Sequence, residues 1–407
     1  MSWKTVTLGD ISSNIQTGPF GSQLHQSDYS EEGTPVVMPK DLVNGHISEA
    51  SIARVSEDHV NRLNRHKIEV GDILYSRRGD VGRCAFATET EEGWLCGTGC
   101  LRVTIDISKA IPKFVFYQLQ KAETVGWVEK HAVGATMLNL NTSILSSVPI
   151  EIPPLAEQQV IVDMLSAYDD LIENNQKQIK LWEEAAQRLY TEWFVDLRFP
   201  GHETTPITDG IPEGWKKDRA DAFFNMSIGK TPPRAEKQWF TDGGNGTPWI
   251  SISDMGNYGT YVFDTAEALT VEAISKHNVK VVPSDTVLVS FKLTVGRVSI
   301  TTTDTCTNEA IAHFLISNSM LREYTYLYLK CFEYDSLGNT SAISKAVNSK
   351  IIKGMPFVMP DNATITQFHK IAKPIFDAIK DKQSMNMKLA EARDRLLPKL
   401  MNGEIEV

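Results

Sequence analysis

Long hydrophobic runs are missing from this chain of 407 residues. No stretch approaches the 18 or so consecutive apolar residues that a membrane-spanning helix needs, and the first ten residues lack the apolar core of a signal peptide. These absences exclude an obvious membrane anchor or secretion signal. We therefore expect a cytoplasmic protein without a membrane partner.

Cysteine is also scarce, with five residues in the whole chain. An odd, small number in a long sequence is typical of reduced thiols and not of a disulfide framework. Three residues separate Cys96 from Cys100, but no second pair and no histidine cluster completes a zinc site. We predict no bound metal.

Recognisable catalytic motifs are missing as well. Gly229-Lys230-Thr231 looks like the end of a phosphate-binding loop, but Asn225 stands where the first glycine belongs and two prolines follow. There is no His-Glu-x-x-His helix, Gly-x-Ser-x-Gly elbow or Gly-x-Gly-x-x-Gly fingerprint. Neither Pro-Pro pair follows the Asn or Asp of an adenine methyltransferase motif. The chain is predicted to be non-catalytic.

What the chain does contain is an approximate internal repeat, in a composition ordinary for a folded protein. Trp3-Lys4 recurs as Trp215-Lys216, an offset of 212 residues. Other pairs keep nearly the same offset: Gly33-Thr34-Pro35 with Gly246-Thr247-Pro248, Asp41 with Asp254, Ile73 to Arg83 with Val287 to Arg297, and Tyr168-Asp169 with Phe376-Asp377. Two copies of one fold are predicted.

Each copy begins with short β-type runs separated by turn residues, mixed with helical stretches, and ends in a long helix. We predict an α+β fold of two tandem repeats, each a mixed α/β globule followed by a long helix. A Pro- and Gly-rich segment marks the linker between the copies. The predicted domains are globule 1 at 1–153, helix 1 at 154–199, linker 200–214, globule 2 at 215–360 and helix 2 at 361–407.

Both long helices carry residues at the three-and-four spacing of a coiled-coil seam. The predicted seam residues are Ile161, Met164, Tyr168, Leu171, Asn175, Trp182, Ala185, Leu189 and Trp193 in helix 1, and Ala372, Phe376, Ile379, Gln383, Ala390 and Leu397 in helix 2. Asn175 and Gln383 are interpreted as equivalent polar positions that fix the register. Pro374 is expected to delay the regular part of helix 2. Residues 156–196 carry a net charge of −6 and residues 374–400 a net charge of +2.

The opposite charges agree with pairing of the two helices. The duplication favours an antiparallel pair within one chain, because it would give pseudo-two-fold symmetry with a globule at each end. About 35 helical residues would span roughly 50 Å, which is between one and two turns of DNA. The alternative is that each helix packs only on its own globule.

Basic charge is concentrated at matching places in the two copies, although the whole chain has a net charge of −10. Residues 61–83 and residues 276–297 each carry a net charge of +3. Such a cluster is either a solvated face or a surface that binds a polyanion. Arginine guanidinium groups can bind the phosphates of DNA or the edges of guanine bases. The predicted DNA-contacting residues are Phe20, Ser76, Arg77, Arg78 and Arg83 in copy 1, and Lys230, Arg234, Ser290, Lys292 and Arg297 in copy 2.

In its order of parts, the chain resembles the specificity subunit of type I restriction-modification enzymes. The motifs that carry the resemblance are Trp3-Lys4, Leu8-Gly9-Asp10, Gly18-Pro19-Phe20-Gly21-Ser22, Gly71-Asp72-Ile73-Leu74, Ile152-Pro153-Pro154-Leu155 with Glu157-Gln158, Ile211-Pro212-Glu213-Gly214-Trp215 and Leu396-Leu397-Pro398-Lys399-Leu400. Copy 2 departs from the pattern at Arg219-Ala220-Asp221 and at Asp361-Asn362-Ala363-Thr364.

The resemblance implies a subunit that reads double-stranded DNA through two target recognition domains, one for each half of a split, asymmetric sequence. It implies that the helix pair sets the spacer and docks two copies of a modification (methyltransferase) subunit, joined by restriction subunits. S-adenosylmethionine, ATP and Mg²⁺ would then reside on those partners. Surplus aromatic residues on helix 1 suit such an interface; they are Trp182, Tyr190, Trp193 and Phe194.

Two other functions fit the sequence. The chain could be a coiled-coil scaffold that recruits proteins without DNA selectivity, or a self-sufficient DNA-modifying enzyme with an unrecognised site.

Overall fold

A computed structural model describes residues 3–134, 138–337, 347–405 and 407. The chain forms two compact units. Unit 1 comprises residues 1–170 and 389–407, and unit 2 comprises residues 171–388. Each unit therefore includes one repeat together with part of both long helices. The domain boundaries drawn from the sequence, which separate globules from helices, stay a prediction.

Unit 1 is built on two four-stranded sheets. Its strands are β1 (Lys4–Thr7), β2 (Ser12–Thr17), β3 (Tyr29–Ser30), β4 (Thr34–Val37), β5 (Leu42–Val43), β6 (His46–Ile47), β7 (Ala53–Val55), β8 (Ile73–Ser76), β9 (Cys84–Phe86), β10 (Leu95–Cys96), β11 (Cys100–Ile105) and β12 (Pro149–Ile152). Its helices are α1 (Leu8–Ile11), α2 (Glu57–Arg62), α3 (Pro112–Gln120), α4 (Ala122–His131), α5 (Thr142–Ser146) and the first part of α6 (Leu155–Tyr190).

The sheet orders are β2-β11-β8-β9, which is antiparallel throughout, and β10-β4-β7-β3, with small pairs β1-β12 and β5-β6. All four residues of β8 are buried, because this inner strand is covered on both faces. Helix α3 begins with Pro112, whose fixed φ suits a first helical turn, and packs Phe114 into the same core as Leu101 of β11.

Unit 2 repeats this plan. Its strands are β13 (Ile207–Thr208), β14 (Ile211–Pro212), β15 (Lys216–Arg219), β16 (Asn225–Ile228), β17 (Phe240–Asp242), β18 (Thr247–Ile250), β19 (Tyr261–Val262), β20 (Glu267–Leu269), β21 (Val287–Ser290), β22 (Val298–Thr301), β23 (Cys306–Thr307), β24 (Ile311–Leu315) and β25 (Pro356–Met359). Its helices are the second part of α6, then α7 (Ala220–Phe223), α8 (Ile252–Tyr258), α9 (Val271–His277), α10 (Arg322–Cys331), α11 (Ser349–Lys353) and most of α12 (Asn362–Met401).

The sheet orders in unit 2 are β16-β24-β21-β22-β19 and β17-β20-β18-β23, with pairs β15-β25 and β13-β14. The first has the order of the antiparallel sheet in unit 1 plus one strand. The pair β13-β14 lies inside the segment predicted as a linker.

Equivalent local contacts recur in the two units. The Leu8 amide donates to the Val148 carbonyl at 2.8 Å, and the Ala220 amide donates to the Met355 carbonyl at 2.8 Å. Asp41 and Asp254, matched by sequence, are both buried and accept from a main-chain amide three residues earlier. The tandem repeat of an α+β fold is confirmed.

The start of each long helix is tied to its globule by a tryptophan. Trp3 Nε1 donates to Glu157 Oε1 in unit 1, and Trp215 Nε1 donates to Asp361 Oδ2 in unit 2, both at 3.0 Å. Asp361 also accepts from the Ala363 and Thr364 amides, which makes it the N-cap of α12. Helix 2 begins with a different sequence from helix 1, but it keeps the hydrogen bond from a tryptophan to an acid, with Asp361 in place of a glutamate.

In each unit, segments of α6 and α12 pack antiparallel. Within unit 1, Ile161 and Leu165 share a core with Leu400, and Arg393 donates to Asp169 at 2.8 Å. Within unit 2, Asn175 is buried, donates to Asn386 at 2.7 Å and accepts from Lys382 at 2.8 Å. The predicted helix pairing is confirmed.

Several details of the predicted seam are wrong. Gln383 contacts Tyr258 and the Tyr261 amide of the globule, so Asn386 is the partner of Asn175. Met164, Leu171 and Ala185 are exposed, whereas the neighbouring Leu165 and Ala186 are buried. Both helices pack on a globule as well as on each other, so their buried positions do not follow a simple heptad seam. Helix α12 also runs from Asn362 through Pro374 without interruption.

All five cysteines are free thiols, and four of them are buried. Among the described residues, no group of His, Cys, Asp or Glu has an arrangement that could hold a metal ion. None of the helices in the described part of the chain combines the length and hydrophobicity of a bilayer-crossing segment.

Replacing Asp361 with Ala should destabilise unit 2 by about 1–2 kcal/mol, because the α12 N-terminus loses its cap and Trp215 its acceptor. The Asp361→Asn variant keeps the capping oxygen but places an amide NH2, which cannot accept, at Trp215 Nε1, so it should lose only part of this stability. Thermal unfolding followed by calorimetry tests both variants. Equal loss in the two would show that the cap contributes nothing.

Candidate nucleic-acid interface

One edge of the antiparallel sheet in unit 1 gathers the residues that the sequence singled out. The register pairs Thr17 with Leu101 and Ser76 with Cys100, so β2 and β8 end where β11 begins. The loops that follow β2 and β8 therefore leave the sheet side by side. We call residues 18–24 and 77–83 loop edge 1.

Backbone contacts hold loop edge 1 in place. The Gly18 amide donates to the Cys100 carbonyl at 2.9 Å, and the Arg77 amide donates to the Gly99 carbonyl at 2.8 Å. A Cβ on Gly18 would lie 2.0 Å from the Gly97 carbonyl oxygen. Glycine is required here because the loop main chain touches the neighbouring main chain.

The exposed side chains of loop edge 1 include an aromatic ring, arginines and one acid, Asp80. Phe20 is 52% exposed, and the Arg77 guanidinium carbon lies 5.9 Å from its ring centroid. Arg78 is exposed, and Arg83 pairs with Asp80 at 2.8 Å. The structure thus brings Phe20 and Arg77 together, which the sequence did not show.

The two predicted serines hold the loops that follow them. Ser76 and Ser290 are buried, and each hydroxyl donates to a main-chain carbonyl of the following loop, that of Arg78 and Thr294 respectively. The hydrogen bonds of these hydroxyls hold the loops in place. Direct contact of these hydroxyls with DNA stays a prediction.

Unit 2 has the same arrangement. Ile228 pairs with Ala312 and Ser290 with Ile311, so β16 and β21 end where β24 begins. We call residues 229–235 and 291–297 loop edge 2. The Gly229 amide donates to the Ile311 carbonyl at 3.1 Å.

A Cβ on Gly229 would lie 2.0 Å from Thr307 Oγ1 and 2.1 Å from the Asn308 carbonyl oxygen. Gly229 therefore has the packing role of Gly18, and this explains the Gly-Lys-Thr sequence without a phosphate loop. Lys230 follows it, exposed, with its amide bonded to the Thr307 carbonyl at 2.9 Å.

Arg234 is fixed in position by aromatic rings. Its guanidinium carbon lies 4.4 Å from the Phe240 centroid and 4.5 Å from the Trp249 centroid, and Nη1 contacts both carboxylate oxygens of Glu267 at 2.7 Å. Sequence reasoning missed all three partners, because they lie on β17, β18 and β20 and meet through strand pairing. The Arg234 side chain is half exposed, so the fixed guanidinium still presents a face to solvent.

Glu309 adds an acceptor to loop edge 2. Burial opposes its ionisation, but the hydrogen bond from Thr231 and the attraction of Lys292 and Arg234 outweigh it and hold the pKa of the carboxyl below its usual value. The carboxylate is therefore charged at neutral pH and available to an amino group. No motif or charge pattern in the sequence singled out Glu309.

His313 lies beneath loop edge 2, buried between Ser227 at 2.8 Å and Thr307 at 2.7 Å. Burial lowers the pKa of its imidazole to about 4. The neutral ring links β16, β23 and β24 without adding charge to the surface.

Arg297 is turned inward. Its Nη1 donates to the Ile252 carbonyl at 2.7 Å, and its guanidinium lies against Gly256, where a Cβ would come within 2.4 Å of that nitrogen. This half-buried arginine supports the loop, and its contact with DNA stays a prediction.

The aromatic residues predicted to bind a partner lie in the core of unit 2. Tyr190 and Trp193 are only 5% and 7% exposed, and Phe194 contacts the rings of Trp215, Tyr324 and Phe368. The surplus aromatics thus pack within the chain, although Trp182 and Phe194 are partly exposed. Contact of these four residues with a partner stays a prediction.

Comparisons with known proteins agree with this architecture. The sequence matches the family described as "Type I restriction modification DNA specificity domain" at residues 1–181 and again at 212–389. The chain is 25% identical to the type I restriction enzyme HindI specificity subunit of Haemophilus influenzae, covering 99% of both chains. It is 26% identical to the MjaIX specificity subunit of Methanocaldococcus jannaschii, covering 92% of this chain and 87% of that one.

A solved structure shares the fold. The type I restriction-modification S subunit from M. genitalium matches with a TM-score of 0.59 at 16% identity, covering 98% of this chain and 96% of that chain.

Replacing Gly229 with Ala should destabilise unit 2 by about 1–3 kcal/mol, because the new methyl group must displace main chain. Gly244→Ala is the matched control, since a Cβ there meets nothing within 4 Å. Calorimetric unfolding and amide exchange at residues 229–235 measure the effect. Identical behaviour of the two variants would contradict the close packing described above.

Proposed function

Because the chain belongs to the type I restriction modification DNA specificity domain family, we propose that it is the DNA sequence-recognition subunit of a type I restriction-modification complex. Each loop edge reads one half of a bipartite target in double-stranded DNA. The alternative, a scaffold without DNA selectivity, does not explain why both units carry a basic loop edge at matching positions.

One observation carries this proposal: the same strand ends present a basic loop pair in each unit, on a backbone fixed by glycine contacts. Base edges are read by side chains held in a defined position, and arginine and lysine both recognise guanine and phosphate. Preorganised basic groups on a rigid sheet edge meet that requirement.

The two edges differ in their chemistry, which explains an asymmetric target. Loop edge 1 offers Phe20, Arg77 and Arg78, whereas loop edge 2 offers Lys230, Arg234 and Lys292 together with the carboxylate of Glu309. A carboxylate accepts a hydrogen bond from the amino group of cytosine. The two half-sites are therefore expected to be different sequences.

The long helices are proposed to set the spacer between the half-sites and to dock two modification subunits, with restriction subunits joining them. Exposed apolar side chains in the helical part of unit 2 support a protein interface; they include Leu171, Leu181 and Met385. We add these residues to the four predicted aromatics as candidates for that contact.

Catalysis is assigned to the partners. We propose that this chain supplies no reacting group, and that S-adenosylmethionine, ATP and Mg²⁺ are bound by the modification and restriction subunits.

Co-expression with the modification subunit, followed by mapping of methylated adenines on a plasmid, tests the function. We expect one split motif, methylated once on each strand. Methylation by this chain alone would favour a self-sufficient enzyme. A stable complex that methylates nothing would favour the scaffold.

Replacing Arg77 and Arg78 together with Ala should impair reading of one half-site and leave the other intact. A base-reading arginine contributes about 1–3 kcal/mol of discrimination, whereas a phosphate contact lowers affinity evenly and reduces the salt slope by about 1. Binding of duplexes altered in either half, at several salt concentrations, separates these cases.

Lys109→Ala is the matched control, because Lys109 is an exposed base beyond the opposite end of β11. Equal losses in both half-sites, or the same loss in the control, would contradict the assignment of loop edge 1.

A further inference from the structure

The loops after β8 and β21 have the same length and are closed by the same main-chain hydrogen bond. The Ser76 amide donates to the Arg83 carbonyl at 2.8 Å, and the Ser290 amide donates to the Arg297 carbonyl at 2.9 Å. At the same position of each loop the backbone is left-handed, with φ of +76° at Gly79 and +61° at Leu293. One repeat thus has glycine where the other has leucine.

A left-handed backbone is unfavourable for leucine, because its Cβ approaches the following carbonyl oxygen. Most other described non-glycine residues at positive φ are Asn or Asp, which tolerate this conformation. Leu197 shares it too, but its side chain packs against the core of unit 2.

Leu293 lacks that compensation. Its side chain is 92% exposed, so burial within the chain does not offset the strain. Glycine in the equivalent loop shows that the fold does not need a side chain here. A strained residue that stabilises nothing in its own chain points to a role in binding.

The loop presents this side chain rigidly. The Ser290 hydroxyl donates to the Thr294 carbonyl and accepts from the Arg297 amide at 3.0 Å, and the Gly296 amide donates to the Ser290 carbonyl at 2.9 Å. Lys292 precedes Leu293, and the rest of loop edge 2 carries Lys230 and Arg234. Two acids lie next to this edge, Glu267 paired with Arg234 and Glu309 bonded to Thr231. An apolar tip therefore stands among basic side chains and the acids beside them.

We propose that Leu293 is a specificity-determining residue of the second half-site and contacts the C5-methyl group of a thymine in the major groove. This inference rests on the proposed function. The thymine methyl is the apolar group that base pairs expose in that groove, and it is absent from uracil. The neighbouring basic groups would hold the phosphates on either side.

The test uses the full chain in complex with its modification subunit, after its methylated motif has been mapped. Each thymine of the second half-site is replaced in turn by deoxyuridine, and binding is measured for wild type, Leu293→Ala and Leu293→Gly. Wild type should lose about fourfold in affinity at one position, as expected for one buried methyl group. Both variants should bind thymine and uracil equally there and keep their reading of the first half-site.

Thermal unfolding separates this role from a structural one. Leu293→Gly removes the backbone strain and should raise the Tm of unit 2, whereas Leu293→Ala retains a Cβ and should leave it unchanged. Val271→Ala is the matched control, since Val271 is a similarly exposed apolar residue of unit 2 outside the loop edge. It should preserve the thymine preference.

Wild-type binding that ignores the thymine methyl at every position would overturn the inference and leave the proposed function intact. So would a loss of affinity in both variants without any thymine–uracil difference, as insertion between base pairs would give. A wild-type complex that recognises no split sequence would instead overturn the proposed function.

Discussion

The structure depends on the register of three antiparallel strands in each unit. Pairing Ser76 with Cys100 and Thr17 with Leu101 places two strand ends and one strand start at a single sheet edge. Gly18 and Gly229 then allow the first loop of each edge to lie directly against neighbouring backbone. Hydrogen bonds of the main chain therefore fix where the basic side chains stand, and the side chains themselves are left free to differ.

This division of labour explains how one fold carries two different surfaces. Buried Ser76 and Ser290 preserve the loop shape in both repeats, while Arg78 in one is Lys292 in the other, and Gly79 is Leu293. The scaffold tolerates these exchanges because the exchanged side chains are not part of its core. Even backbone strain at Leu293 is tolerated, since one unfavourable residue is small beside the burial that stabilises the unit.

The sequence predicted the repeat, the α+β class and the antiparallel helices, because these follow from periodic patterns and from motifs spaced along the chain. It misassigned Met164, Leu171 and Gln383, since a heptad pattern does not show that a helix also packs on a globule. The sequence showed which segments are basic, but it did not show where the arginine side chains point or which residues they contact. Arg297 turns inward and Arg234 stacks on Phe240 and Trp249, and both arrangements need strand neighbours that no spacing reveals.

The central claim is that each loop edge contacts its own half of one DNA target. Amide hydrogen exchange of the complex, with the intact target and with a target whose second half is scrambled, tests it most directly. The account predicts that intact DNA protects residues 18–24, 77–83, 229–235 and 291–297, and that scrambling removes the protection of loop edge 2 alone. Protection that vanishes from both edges together, or that never includes them, would contradict it.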